Sequence, residues 1–146
     1  MKPSKRLRSR TLVRDLRSNA AEVSTFCHDA REFLTEIGLS REIFPVEMLL
    51  RESLNNALIH GNGEDGNKWI QAKLRVTRKW IVLQITDEGS GFNHRRGRKA
   101  VPDPESESGR GMAIYSLYAH RISFNSTGNR VSLWRAVTGD ENRDRI

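Results

Sequence analysis

The chain has one cysteine, Cys27, which excludes an internal disulfide and any multi-cysteine zinc site. Cys27 falls on an apolar helical face, where a thiol packs as a small core residue. No apolar run approaches the roughly eighteen residues that a membrane-spanning helix needs. The N-terminus is basic but lacks the apolar stretch of a secretory signal, so a cytoplasmic location is the expectation. Hydrophobic residues are scarce at 36%, so the core has to be built from few side chains. Aromatic residues are absent from the first seventeen positions. That absence matters because the net charge of +7 otherwise invites a nucleic-acid reading. Residues 1–17 hold Lys2, Lys5, Arg6, Arg8, Arg10, Arg14 and Arg17 against Asp15, which accounts for most of the excess. A basic arm without aromatic interleaving is not a single-strand platform, and the body is near neutrality. Neither nucleic acid nor membrane is an expected partner.

A length of 146 residues suits one domain, placed at 9–137 between a basic leader, 1–8, and a charged tail, 138–146, expected to be mobile. Residues 9–16 read as a strand around Thr11-Leu12-Val13. Asn19 with Glu22 resembles a capping box, and Val23, Phe26, Cys27, Ala30, Phe33, Leu34 and Ile37 then recur at helical spacing up to Gly38. Residues 68–76 and 80–86 alternate as two strands around Thr77-Arg78-Lys79, a tight connection that makes them antiparallel. Asn93–Ser108 is polar, holds Pro102 and Pro104 and has no period, as a functional lid does. Gly109–Ala119 restarts helical spacing, and 120–125 and 130–137 are two more strands. Early helices and hairpin-paired strands predict an α+β two-layer sandwich: one mixed, mostly antiparallel sheet with helices on one face.

The stretch Pro45–Asn62, PVEMLLRESLNNALIHGN, predicts a helix with Pro45 at its first position and Gly61 as its stop. Glu47, Arg51 and Asn55 share the solvent sector, and Val46, Leu50, Leu54 and Ala57 lie to one side of it. Glu52, Asn56 and His60 form a separate stripe at i, i+4, i+8, flanked by Leu49, Ser53 and Ile59. A carboxylate and an amide in apolar company need partners. An ordinary ion pair supplies them in one reading, and a metal or ligand in the other.

Two glycine clusters bear on that choice. Asp87-x-Gly89-x-Gly91 ends a strand, where a carboxylate can accept from an exocyclic amine and residues without Cβ let backbone approach a flat ligand. A plain turn is the alternative. It is not a calcium loop, because Arg98 stands where the bidentate Glu belongs. Gly109-Arg110-Gly111-Met112 opens a helix, offering bare N–H groups to phosphate or simply a flexible entry. Asn56 can offer an amide oxygen to Mg²⁺ and Glu52 can act as a general base one turn earlier. No P-loop and no H-R-D/D-F-G pair is present.

In this order and spacing the segments resemble the nucleotide site of the GHKL superfamily (the Bergerat ATP-binding fold), which includes gyrase, GHKL chaperones, histidine kinases and MutL. Glu52-x-x-x-Asn56 resembles its N box, Asp87-x-Gly89-x-Gly91 its G1 box, and Gly109-Arg110-Gly111-Met112 its G2 box, with 93–108 as the ATP lid. Glu52–Gly61, ESLNNALIHG, is most similar to small bacterial anti-sigma-factor serine kinases of the RsbW and SpoIIAB type. That resemblance implies a Mg²⁺-ATP-dependent serine/threonine protein kinase that sequesters a sigma factor or similar regulator and phosphorylates a STAS-domain antagonist. It implies Glu52 as the base, Asn56 as the Mg²⁺ ligand and Asp87 as the adenine acceptor. Gly89 and Gly91 would floor the base pocket, and Gly109, Arg110, Gly111 and Met112 would lie along the phosphates. A homodimer formed through residues 9–16 is a further implication. Two alternatives remain: a nucleotide-gated binding module without transfer, and a histidine-kinase-like catalytic domain acting on a separate acceptor. The acidic, serine-rich run Glu105–Ser108 matches no pattern of the family.

Overall fold

The computed structural model describes residues 9–90 and 107–137, with 107–110 traced by backbone alone. The expected leader, most of the lid with Gly91, and the tail lie outside the described residues. In chain order the elements are β1 (Arg10–Arg17), α1 (Ala20–Glu36), a 3-10 turn (Ser40–Glu42), α2 (Ile43–Asn56), a π-turn (Ala57–Gly61), β2 (Trp69–Val76), β3 (Trp80–Asp87), α3 (Glu107–Tyr118), β4 (Arg121–Phe124) and β5 (Arg130–Ala136).

The five strands form one sheet in the order β1-β2-β3-β5-β4. Every pairing is antiparallel, so the sheet is not mixed as the sequence suggests. The parallel relation survives between β3 and β4, which point the same way because β5 runs between them. Strand period explains the layers. Leu12, Leu16, Ile70, Ala72, Leu74, Val76, Ile81, Leu83, Ile85 and Leu133 all turn to the same side and are buried. Phe26, Ala30 and Leu34 of α1, with Val46, Leu49, Leu50 and Leu54 of α2, pack on them. Each fully buried large apolar side chain contributes about 1.5–3 kcal/mol, so these few positions must carry the fold.

Local chemistry sets the helix ends. Asn19 Oδ1 accepts from the Glu22 amide at 2.9 Å, as the capping box predicts. The Glu22 carboxylate reaches past Asn19 and accepts from the Arg17 amide instead, tying α1 to the end of β1. After α1 the chain turns at Gly38, whose φ of +80° suits a residue without Cβ. Helix α2 starts at Ile43, two residues before Pro45. Pro45 is still tolerated there, because the first four N–H groups of a helix have no partner within it.

Glu42 is 2% exposed, at the entry to α2. Arg135 Nε on β5 donates to its Oε2 at 2.6 Å, and Arg135 Nη1 donates to the Tyr118 carbonyl at 2.9 Å. One guanidinium thus joins the start of α2, the sheet and the last turn of α3. Removing one partner strands the other charge in the core, which costs about 3–5 kcal/mol, whereas replacing both with apolar groups is close to neutral. Arg135→Ala is therefore expected to lower the urea midpoint sharply, and Glu42→Leu with Arg135→Met to recover most of it. Equal midpoints for Arg135→Ala and the wild type would contradict the strut.

Candidate functional site

Helix α2 delivers Glu52 and Asn56 half-buried at the edge of the helix layer, where the wheel places them. The stripe then breaks. The π-turn Ala57–Gly61 closes with the Asn62 amide donating five residues back to the Ala57 carbonyl at 2.8 Å. The wider turn rotates His60 off the line, and His60 is exposed. The helical stretch ends at Gly61, where the sequence predicts its stop, although the left-handed residues that turn the chain follow at Gly63 and Glu64, with φ +60° and +61°.

Gly61 lacks a Cβ for a different reason. A Cβ there would fall on the carboxylate of Asp87, within 2.7 Å even of the farther oxygen. Gly89 is equally constrained, since its Cβ would strike the carbonyl group of Gly61, with the carbonyl carbon at 2.7 Å. The end of β3 and the π-turn are in backbone-close contact, and only glycine fits on either side. Asp87 follows the inward-facing Ile85, so strand period aims its side chain at the helix layer. Asp87 Oδ1 accepts from the Gly89 amide at 2.8 Å. Its own N–H donates to the Asn129 carbonyl at 2.9 Å, and its carbonyl accepts from Asn129 Nδ2 at 3.1 Å. Burial pushes the Asp87 carboxyl above its usual range, against the opposing pull of the Gly89 N–H and the Lys68 charge.

Buried Asn62 holds this junction from below. Its Nδ2 donates to the Trp69 carbonyl at 3.0 Å and its Oδ1 accepts from the Glu88 amide at 2.9 Å, clipping the π-turn to β2 and β3.

The third segment arrives from α3. This helix begins at Glu107, two residues before the first glycine of the Gly109-Arg110-Gly111 run. Gly109 keeps its place among the unpaired N–H groups of the first turn. Gly111 does not, because as the fifth helical residue it has an intrahelical carbonyl to donate to. It is buried against α2 instead. A Cβ on Gly111 would stand 2.5 Å from Glu52 Oε1 and 3.3 Å from Asn56 Nδ2. One turn later, Asn56 Nδ2 donates to the Tyr115 hydroxyl at 3.1 Å. Burial raises Tyr115 well above the ordinary phenol range, so it stays neutral. By accepting from the Asn56 amide nitrogen it makes the amide oxygen the atom that a cation would take. Met112 is 40% exposed at the surface of α3. The side chain of Arg110 and all of Gly91 lie outside the described residues.

Glu52, Asn56 and Gly111 thus meet at one end of the junction, and Asp87, Gly61 and Gly89 meet at the other. Tyr115, Asn62, Asn129 and the role of Gly61 were not picked out by motif reasoning. A buried tyrosine at helical spacing reads as core, and an asparagine in a glycine-rich loop reads as loop. The set brings together a carboxylate packed against two glycines, a side-chain amide, a second carboxylate and a helix start, groups able to take an amine, a cation and phosphate oxygens. Among the described residues no His, Cys, Asp and Glu group is arranged to hold a metal by itself, so a cation here would need ligands from the nucleotide.

Comparison with known proteins gives an independent result. The family described as the histidine kinase-like ATPase domain matches residues 16–135, which cover all three segments. No curated protein matches the chain.

The raised Asp87 carboxyl has a pH signature. The fold favours its protonated form, so the group contributes stability below the unfolded pKa of about 3.9 and costs stability once pH rises through the higher folded value. Asp87→Asn keeps an acceptor for the Gly89 N–H and removes the charge. It is expected to be more stable than the wild type in urea unfolding at pH 7, with the difference shrinking towards zero near pH 3.5. A gain that persists unchanged at pH 3.5 would show another cause.

Proposed function

The chain belongs to the histidine kinase-like ATPase domain family, whose function is of the ATP-binding, kinase type, and from that premise we propose that it is a serine/threonine protein kinase and anti-sigma factor of a partner-switching system. It sequesters a sigma factor or a similar regulator and phosphorylates a STAS-domain antagonist, using ATP and Mg²⁺. The single observation that carries the kinase part is the seating of Glu52 against Gly111, beside an Asn56 amide whose nitrogen is engaged by Tyr115. The partner-switching part rests on the likeness of the Glu52–Gly61 run to that kinase type.

In this reading Asp87 accepts from the exocyclic amine of adenine through the oxygen that Gly89 does not engage. Gly61 and Gly89 let the end of β3 close on the π-turn, which seats the Asp87 carboxylate where the base would meet it. Asn56 Oδ1 would be the side-chain ligand of a Mg²⁺ ion, which would offset the charge of the phosphates. The first-turn N–H groups of α3, Gly109 among them, receive phosphate oxygens. ATP supplies the phosphoryl group, and Glu52 takes the proton from the attacking serine or threonine hydroxyl of the partner. A carboxylate base suits this work, because positioning and charge account for most of phosphoryl-transfer catalysis.

Three outcomes test the proposal. Calorimetry of the wild type with ATP and Mg²⁺ should show saturable heat, and its absence ends the nucleotide reading. Glu52→Ala should lose about 10²-fold or more of transfer to a STAS partner while binding nucleotide nearly as well. Normal transfer by Glu52→Ala would remove the base role and favour a different acceptor chemistry, whose mark is acid-labile phosphohistidine. Tyr115→Phe should keep nucleotide affinity in EDTA and lose much of the gain that Mg²⁺ adds. If Mg²⁺ helps both proteins equally, Tyr115 does not orient Asn56.

A further inference from the structure

The face of the sheet turned away from the helices has a composition unlike the rest of the chain. All three tryptophans of the protein lie on it: Trp69 on β2, Trp80 on β3 and Trp134 on β5. Their positions alternate with the buried Ile70, Ile81 and Leu133, and Trp69 and Trp80 are 40% and 38% exposed. Five cations share this face by the same alternation: Arg17, Lys73, Arg75, Arg121 and Arg130. Their cross-strand neighbours are not acids. Arg17 stands opposite Trp69, Lys73 opposite Val13 and Gln84, Arg75 opposite Thr11 and Val82, Arg121 opposite Trp134, and Arg130 opposite Thr86. Among the described strand residues of this face, Asp15 is the one acid, and it faces Gln71.

A sheet that places five like charges on one face without acids in register forgoes the cross-strand charge pairing that would stabilise it. The geometry points to an external source of the missing carboxylates. We propose that the open sheet face is a docking surface for an acidic protein segment, separate from the nucleotide pocket and independent of the reading given to it. The tryptophans argue for protein over single-stranded nucleic acid. The Arg17 guanidinium lies 4.1 Å from the centre of the Trp69 ring, and that of Arg121 lies 4.9 Å from the Trp134 ring. These caps each take up one face of an indole ring, leaving less ring surface for a base to stack on. They also hold two planar guanidiniums in place, which lowers the cost of bidentate carboxylate recognition. A second copy of the same face would set like charge against like charge.

This face cannot be read from the chain in order, because the basic arm has no aromatic residue of its own. Strand pairing brings Trp69 to Arg17 from fifty-two positions away.

With every tryptophan on one face, intrinsic fluorescence reports what sits there. The full chain is titrated with a tryptophan-free peptide of alternating Glu and Ser, sixteen residues long, at low salt. Saturable change in tryptophan emission is expected. The triple variant Lys73→Gln/Arg75→Gln/Arg121→Gln should bind at least tenfold more weakly. The helix-layer variant Arg31→Gln/Arg41→Gln/Arg51→Gln, equal in charge, should bind as the wild type does. Both variants should keep their circular dichroism and their ATP affinity, so failure here is separable from failure of the nucleotide reading. The proposal is overturned if peptide binds without changing emission, or if the helix-layer variant loses as much. It is also overturned if oligo-dT of equal charge binds more tightly and quenches more, or if sedimentation shows a self-dimer that already buries the tryptophans.

Discussion

The structure depends on one close approach, that between the π-turn after α2 and the end of β3. Gly61 meets the carboxylate of Asp87, and Gly89 meets the carbonyl of Gly61, with no room for a Cβ on either. This contact fixes the distance between the helix layer and the edge of the sheet where β3 stops. The wide turn is what brings Gly61 there. An ordinary helical continuation would have pointed a different residue at Asp87 and carried His60 along the polar stripe. Asn62 and Asn129 then lock the junction with hydrogen bonds to backbone, and the Gly89 amide with one to the Asp87 carboxylate.

The same junction carries a cost. A carboxylate held above its usual pKa at neutral pH opposes folding, and a glycine pair gives up conformational entropy. Those expenses are concentrated where the three segments meet, while the rest of the core is ordinary aliphatic packing. The Arg135–Glu42 strut is similar in kind. It does not make the fold cheap, but it connects α2, α3 and β5 at one point, so the helix carrying Gly111 and Tyr115 cannot shift independently of the helix carrying Glu52 and Asn56.

Much of this was legible in the chain. Periodicity located α1, α2 and the hairpin β2–β3, and Asn19 with Glu22 marked a helix start that the structure reproduces. The segments around Glu52, Asp87 and Gly109 were recognisable because each pairs chemistry-bearing residues with glycines at short spacing. What could not be read depends on contacts between distant parts. Asn56 and Tyr115 are fifty-nine residues apart, and nothing local separates Tyr115 from a core residue. The π-turn has no signature in a helical pattern of such length. The start of α3 at Glu107 was missed because the serine-rich acidic run before the glycines reads as loop. The antiparallel sheet was misjudged as mixed because the position of β5 is set by pairing on both its sides, which composition does not reveal.

That position of β5 bears on how the molecule comes to exist. The strand made last among those described is the one that joins β3 to β4, and among the described strands β4 pairs with no other. During synthesis β1, β2 and β3 can pair as soon as they leave the ribosome. β3 then waits with an unpaired backbone edge, and β4 with no sheet to join, until Arg130–Ala136 emerges. Assembly is therefore closed from the C-terminal side in a single late step, and a nascent chain halted before that step presents an open strand edge to chaperones and to other chains.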